Sequence, residues 1–210
     1  MRATDFINIY CEHEVPVDEG VNDPYIFKAV FLAGGPGSGK SFVNKNLMTQ
    51  FGGMKTINSD IAFEALMKKS NLSLKMPDDE TEPRDVVRGR AKEVFNKQQE
   101  LAQQGRLGMI IDGTGAKFDQ IQTLNQRLGQ LGYETAMVFV NTDLETALAR
   151  NAKRTRTVPQ QIATDSWKNV QKNIGKFQQV FDSRMFVIDN SEDSDVMQRI
   201  QEVEKTMRKF

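Results

Sequence analysis

Five short apolar runs punctuate the chain, and each is followed by a stretch with helical spacing. Ile26–Gly35 (IFKAVFLAGG) is apolar almost throughout and closes on glycines, the pattern of a strand buried on both faces. MKTINSD predicts a second strand ending near Asn58–Asp60, LGMIIDGTG a third from Leu107 to Asp112, ETAMVFVN a fourth and RMFVIDN a fifth. Between them fall predicted helices at Phe42–Phe51, Ile61–Lys69, Arg84–Gln104, Phe118–Leu131, Asp143 to about Arg150, and Pro159 to about Phe181. A last helix is expected from about Ser194 to Lys209. Glycines at 52–53, 105 and 132 supply the stops, and Asp143 is suited to an N-cap. Residues 1–24 read as an irregular or short-strand lead-in, and 70–83 (SNLSLKMPDDETEP) as an exposed loop. Strands alternating with helices predict an α/β fold with a mainly parallel five-stranded sheet and helices on both faces.

One strand–helix junction carries chemistry. Gly34-Gly35-Pro36-Gly37-Ser38-Gly39-Lys40-Ser41 matches GxxxxGK[ST] in full, between an apolar strand and a helix. Glycines let successive N–H groups point inward at phosphate oxygens, and the helix adds its positive N-terminal end. Lys40 would reach the β- and γ-phosphates, and the Ser41 hydroxyl would face Mg²⁺. The nucleotide-binding set is Gly35, Pro36, Gly37, Ser38, Gly39, Lys40, Ser41 and Phe42, with ATP and Mg²⁺ as the implied ligands.

Three further features favour a kinase over a plain ATPase. Asp60 ends the second strand, at the sheet edge where ligands bind, and could accept a proton from an attacking hydroxyl. It could equally N-cap the helix from Ile61. Asp112 closes the third strand in IIDGT, where it could hold Mg²⁺ through water, orient Ser41, or simply make a turn with Gly113. Finally, four cations fall within Arg150–Arg156 (RNAKRTR), suited to the charge of a transferring phosphoryl group or to a solvated helix end.

In this order the motifs GGPGSGKS, INSD, IIDGTG and ARNAKRTRTVP resemble the P-loop kinases of the polynucleotide 5′-kinase and zeta-toxin group, over about Phe27 to Asp189. The group's polynucleotide kinases carry a similar Arg-Asn-x-Lys-Arg run followed by Val-Pro in their lid. The resemblance implies an adenylate-kinase-like three-layer P-loop fold for residues 27–210, with a basic lid near 150–157. It casts Asp60 as the general base, Lys40 and Ser41 as phosphate and magnesium residues, and Arg154 as the lid arginine, with Arg150 and Arg156 as helpers. Asp112 and Thr114 would line the acceptor side. The group often has an arginine three positions after the base; here that residue is Phe63.

Composition narrows the partners. Twenty-eight Lys and Arg balance twenty-eight Asp and Glu, which argues against broad polyanion binding. Residues 1–26 form an acidic extension holding Asp5, Glu12, Glu14, Asp18, Glu19 and Asp23. The acids of the 70–83 loop lean towards a neutral or small acceptor. The expected acceptor is a hydroxyl on a nucleic-acid end or on a small metabolite. An ATPase or nucleotide switch is the rival from another class. A single cysteine, Cys11, suggests a reducing cytoplasmic setting, and no apolar run is long enough to span a membrane. His13 between two glutamates makes a poor metal site, because neighbours along a strand alternate faces. Trp167, Phe177 and Phe181 are expected in the core.

Overall fold

A computed structural model describes residues 25–50, 53–191 and 195–207. The acidic extension, Cys11 and His13 lie outside the described residues. Five strands form one sheet: β1 Lys28–Ala33, β2 Lys55–Asn58, β3 Met109–Asp112, β4 Glu134–Asn141 and β5 Met185–Asp189. Their order is β2-β3-β1-β4-β5 and every pairing is parallel. Parallel neighbours need crossovers, and of the seven helices among the described residues six lie between strands: α1 Lys40–Gln50, α2 Ser59–Lys69, α3 Thr81–Gln104, α4 Phe118–Gln130, α5 Leu144–Ala152 and α6 Gln160–Phe181, while α7 Val196–Met207 follows β5.

Alternation along the strands divides the core in two. Ala29 and Phe31 of β1 face a cluster with Met109, Ile111, Met137, Phe139, Leu128, Val170, Phe177 and Phe181. Val30 and Leu32 face the other, with Val43, Leu47, Ile110, Val138, Val140, Ile188, Ile200 and Val203. Helices α4 and α6 therefore cover one face of the sheet, and α1 and α7 the other. Phe177 and Phe181 are buried as expected.

A third cluster stands apart. Ala62, Phe63, Leu66 and Met67 of α2 pack with Met76 and with Val87 and Ala91 of α3. Here the stretch expected as an exposed loop is partly structured. Met76 is buried, the Glu80 carboxylate accepts from the Ser73 N–H at 2.7 Å, and a 3₁₀ turn at Asp78–Glu80 leads straight into α3. That helix begins at Thr81, ahead of Pro83, because proline is tolerated in a first turn whose N–H groups need no helical partner. No helix among the described residues is long and apolar enough to cross a membrane.

Candidate active site

The C-terminal ends of β1, β2 and β3 converge on one cleft of about 760 Å³. Residues 34–39 wrap its floor. Gly37 and Gly39 sit at φ of +82° and +87°, where glycine is favoured. A Cβ at Gly37 would lie 2.0 Å from the Ala147 carbonyl oxygen, and one at Gly39 2.1 Å from the Asn190 amide nitrogen. The loop is thus packed tightly against α5 and the end of β5.

Asn190 is the main support from that side. Its buried amide donates to the Ser38 carbonyl at 2.7 Å, and its own N–H donates to the Asn141 carbonyl. The Asn190 carbonyl accepts from Arg150 at 2.6 Å and from the Thr142 hydroxyl at 3.2 Å. Arg150, expected beside a transferring phosphate, lines the cleft but is anchored by this bond. Trp167, expected in the core, is half-buried with its ring against Gly35 and its indole N–H donating to the Thr142 carbonyl at 2.9 Å. Trp167 thus meets the phosphate loop at Gly35, and Arg150 reaches it only through Asn190.

Lys40 opens α1, and its Nζ donates to the Gly34 carbonyl at 2.6 Å and the Gly35 carbonyl at 3.3 Å. Burial lowers its pKa, opposed by the charges of Asp112 and then Asp60. Asp112 shows the mirror image. Burial raises its pKa, Lys40 lowers it and Asp60 raises it again, while a 2.7 Å hydrogen bond from Asn58 lowers it. Ser41 and Asp112 both line the cleft with Lys40. Among the described residues no three His, Cys, Asp or Glu cluster as a metal site. A hydroxyl and one carboxylate beside a phosphate site still suit Mg²⁺, which prefers oxygen donors and keeps several waters.

Asn58 settles how Asp60 is placed. Its side-chain oxygen accepts from the Asp60 N–H at 2.7 Å, so Asn58, and not Asp60, caps α2. The Asp60 carboxylate lines the cleft, where Arg156 grips both oxygens at 3.0 and 3.4 Å. Arg154 and Thr114 line the same space; the Thr114 hydroxyl accepts from the Ala116 N–H and its carbonyl from the Gly34 N–H. The structure therefore gathers Lys40, Ser41, Asp60, Asp112, Thr114, Arg150, Arg154 and Arg156 around one space.

It also adds residues that spacing did not single out. Arg84 and Arg88 reach the cleft from α3, and Arg88 lies over the Phe63 ring at 4.3 Å. Arg156 approaches the same ring at 5.8 Å. Asn58 and Asn190 are the two polar joints. A signal for Asn58 was available, since Asn between a strand and a helix is a preferred cap.

The AAA domain family profile AAA_33 matches residues 30–176, well over half of the chain. The chain belongs to the AAA_33 family. Its structural neighbours are P-loop kinases, as the motifs led one to expect. One is a chain of the PezAT chromosomal toxin–antitoxin system of Streptococcus pneumoniae, 16% identical, with a TM-score of 0.59 over 100% of this chain and 97% of that one. Another is the AvrRxo1-ORF1:AvrRxo1-ORF2 complex with ATP, 14% identical with a TM-score of 0.64, covering 80% of this chain and 56% of that one. A third is the Pnkp1/Rnl/Hen1 RNA repair complex, 18% identical with a TM-score of 0.56, covering 75% and 48%. In the last two this chain spans only about half of the larger protein. At these identities the likeness is one of fold. No curated protein sequence matches the chain significantly.

Proposed function

We propose that the protein is a kinase that transfers the γ-phosphate of ATP to a hydroxyl group. One observation carries this reading: the Asp60 carboxylate shares a single cleft with Lys40 and the phosphate loop, and faces into it. The cleft of about 760 Å³ leaves room for an organic acceptor beside that carboxylate, which hydrolysis by water does not require.

In this scheme the loop N–H groups and Lys40 hold the β- and γ-phosphates, which requires Nζ to leave the Gly34 carbonyl. The acceptor oxygen attacks the γ-phosphorus, and the bond from that phosphorus to the β–γ bridging oxygen breaks, releasing ADP. Asp60 takes the hydroxyl proton as the new P–O bond forms. Arg154 offsets the charge spread over the equatorial oxygens, and Arg156 shares its guanidinium between Asp60 and the transferring group. Arg150 acts indirectly, through Asn190. Mg²⁺ beside Ser41 and Asp112 would neutralise charge on the phosphates.

The acceptor is the 5′-hydroxyl of a polynucleotide or a hydroxyl of a smaller metabolite. The test is Asp60→Asn. Acceptor-dependent ADP formation should fall by ~10²–10⁴, the usual worth of a general base, while an ATP analogue binds as before. Phosphate release from ATP that is the same with and without every hydroxyl acceptor, and insensitive to Asp60→Asn, would turn the reading into an ATPase.

A further inference from the structure

The wall opposite the phosphate loop holds an arginine that the scheme above does not use. Arg88 projects from α3 over the Phe63 ring, with its guanidinium carbon 4.3 Å from the ring centroid. Among the described residues, no carboxylate or carbonyl forms a hydrogen bond or ion pair with its guanidinium. Asp60, the charge that acts on Arg88 most, is gripped by Arg156 at 3.0 Å, and Glu64, which lines the same cleft, pairs with Lys68 at 2.9 Å. Asp85 lines the same wall, three residues before Arg88 on α3, and its charge also acts on Arg88. Arg84, one turn away on α3, is held by the Pro77 carbonyl and the Thr81 hydroxyl, both at 3.0 Å. It backs Arg88 with a second positive charge.

A planar cation seated on an aromatic ring keeps its orientation without using its N–H groups. Arg88 is therefore prepared to receive a planar or tetrahedral anion at its edge, a task for which the guanidinium fork is suited. The ring that seats it belongs to Phe63, one turn along α2 from Asp60, so any group bound by Arg88 stands near the base.

We propose that Arg88 is a specificity residue that binds an anionic group of the acceptor, a phosphate or a carboxylate, and so presents the acceptor hydroxyl to Asp60. The acceptor is then an acidic alcohol, such as a phosphorylated sugar, a nucleotide or a hydroxy acid, and a neutral polyol is a poor substitute. This rests on the kinase reading and names the substrate class for the same site.

The experiment loads wild-type protein with a non-hydrolysable ATP analogue and Mg²⁺, then titrates methyl phosphate and acetate by calorimetry. Arg88→Gln and Arg88→Lys are treated in the same way. Analogue binding comes first and checks the kinase reading separately; a protein that does not load overturns both. In the loaded protein a second anion should bind. Arg88→Gln should weaken it roughly ten- to hundredfold, the worth of a charge-assisted hydrogen bond, with Arg88→Lys in between and analogue affinity unchanged. Methyl phosphate favoured over acetate would assign a phosphate, and the reverse a carboxylate. Absence of a second anion site, or equal affinity in Arg88→Gln, overturns this inference and leaves the kinase reading standing. So does a variant that loses thermal stability but keeps its anion affinity, since Arg88 would then only pack on Phe63.

Discussion

The two sides of the cleft are built differently. The phosphate-loop side is closely packed main chain: Gly34, Gly37 and Gly39 with no room for a Cβ, a loop carbonyl held by Asn190, and Trp167 in van der Waals contact at Gly35. The side where the proposed acceptor would sit is side chains on α2 and α3, with a small apolar cluster around Phe63. Its central contact, Arg156 with Asp60, joins side chains that are 10% and 54% exposed, so water competes for it. A triphosphate is the same in every such enzyme, and a fixed backbone shape serves it. An acceptor differs from enzyme to enzyme, and the side chains around Phe63 can be exchanged while the later part of α3, through Phe95 and Ala102, stays packed on the sheet.

That contrast can be broken. The largest effect should come from Phe63→Ala, which empties a fully buried aromatic site and costs ~3–5 kcal/mol. If the α2–α3 layer is a unit of its own, hydrogen exchange in those helices should rise well before that of β1 and β4 amides. Uniform acceleration across the sheet would erase the distinction between the two sides.

Asn190→Ala probes the other side. It leaves the buried Ser38 carbonyl without its donor and should lower stability by ~1–3 kcal/mol in denaturant melts. ATP-analogue affinity should fall with it, although Asn190 does not line the cleft. Retained affinity would mean that the loop keeps its shape unaided.

A third change reads the electrostatics between the sides. Burial holds the Asp112 carboxyl above the ordinary aspartate range, and the Lys40 charge pulls it back. Lys40→Met should therefore raise the Asp112 pKa further, measurable by carboxyl-carbon NMR titration. The sign for stability follows. A carboxyl whose folded pKa is raised binds more protons folded than unfolded between the two pKa values. Its share of stability is present at low pH and is lost as pH rises through that window, and Lys40→Met should widen the window upward. A downward shift of Asp112 would contradict the pairing.

The smallest effect is expected on the acceptor layer's surface. Gly89 lies exposed inside α3 with nothing within 4 Å of an added Cβ. Gly89→Ala should stabilise the protein by ~0.5–1 kcal/mol in thermal melts and leave ATP-analogue affinity untouched.

The same contrast explains what could be read from the chain alone. The phosphate loop was legible because backbone geometry demands glycine and lysine at set spacings, and the alternation of apolar runs carried the sheet. Asp112 was legible as an acid at a strand end and Asp60 as one near another, although the structure ends β2 at Asn58 and puts Asp60 in the first turn of α2. Arg84 and Arg88 were not, because on a helix rich in Glu, Lys and Arg a cleft-facing arginine has the same spacing as a solvated one. Only the folding of α3 over α2 distinguishes them. Arg150 belonged to a basic run that spacing alone could assign to phosphate; its bond to the Asn190 carbonyl needs β5 in place. Asn190 itself reads as any polar residue leaving a strand.

The clamp from Asn190 to the loop joins residues 152 positions apart. During synthesis the whole phosphate motif emerges long before the residue that braces it. A ribosome that has released only the matched family segment, residues 30–176, has released every letter of the motif and none of β5. Competence to hold ATP should therefore arrive late and abruptly, when the fifth strand docks, so that incomplete chains do not sequester nucleotide.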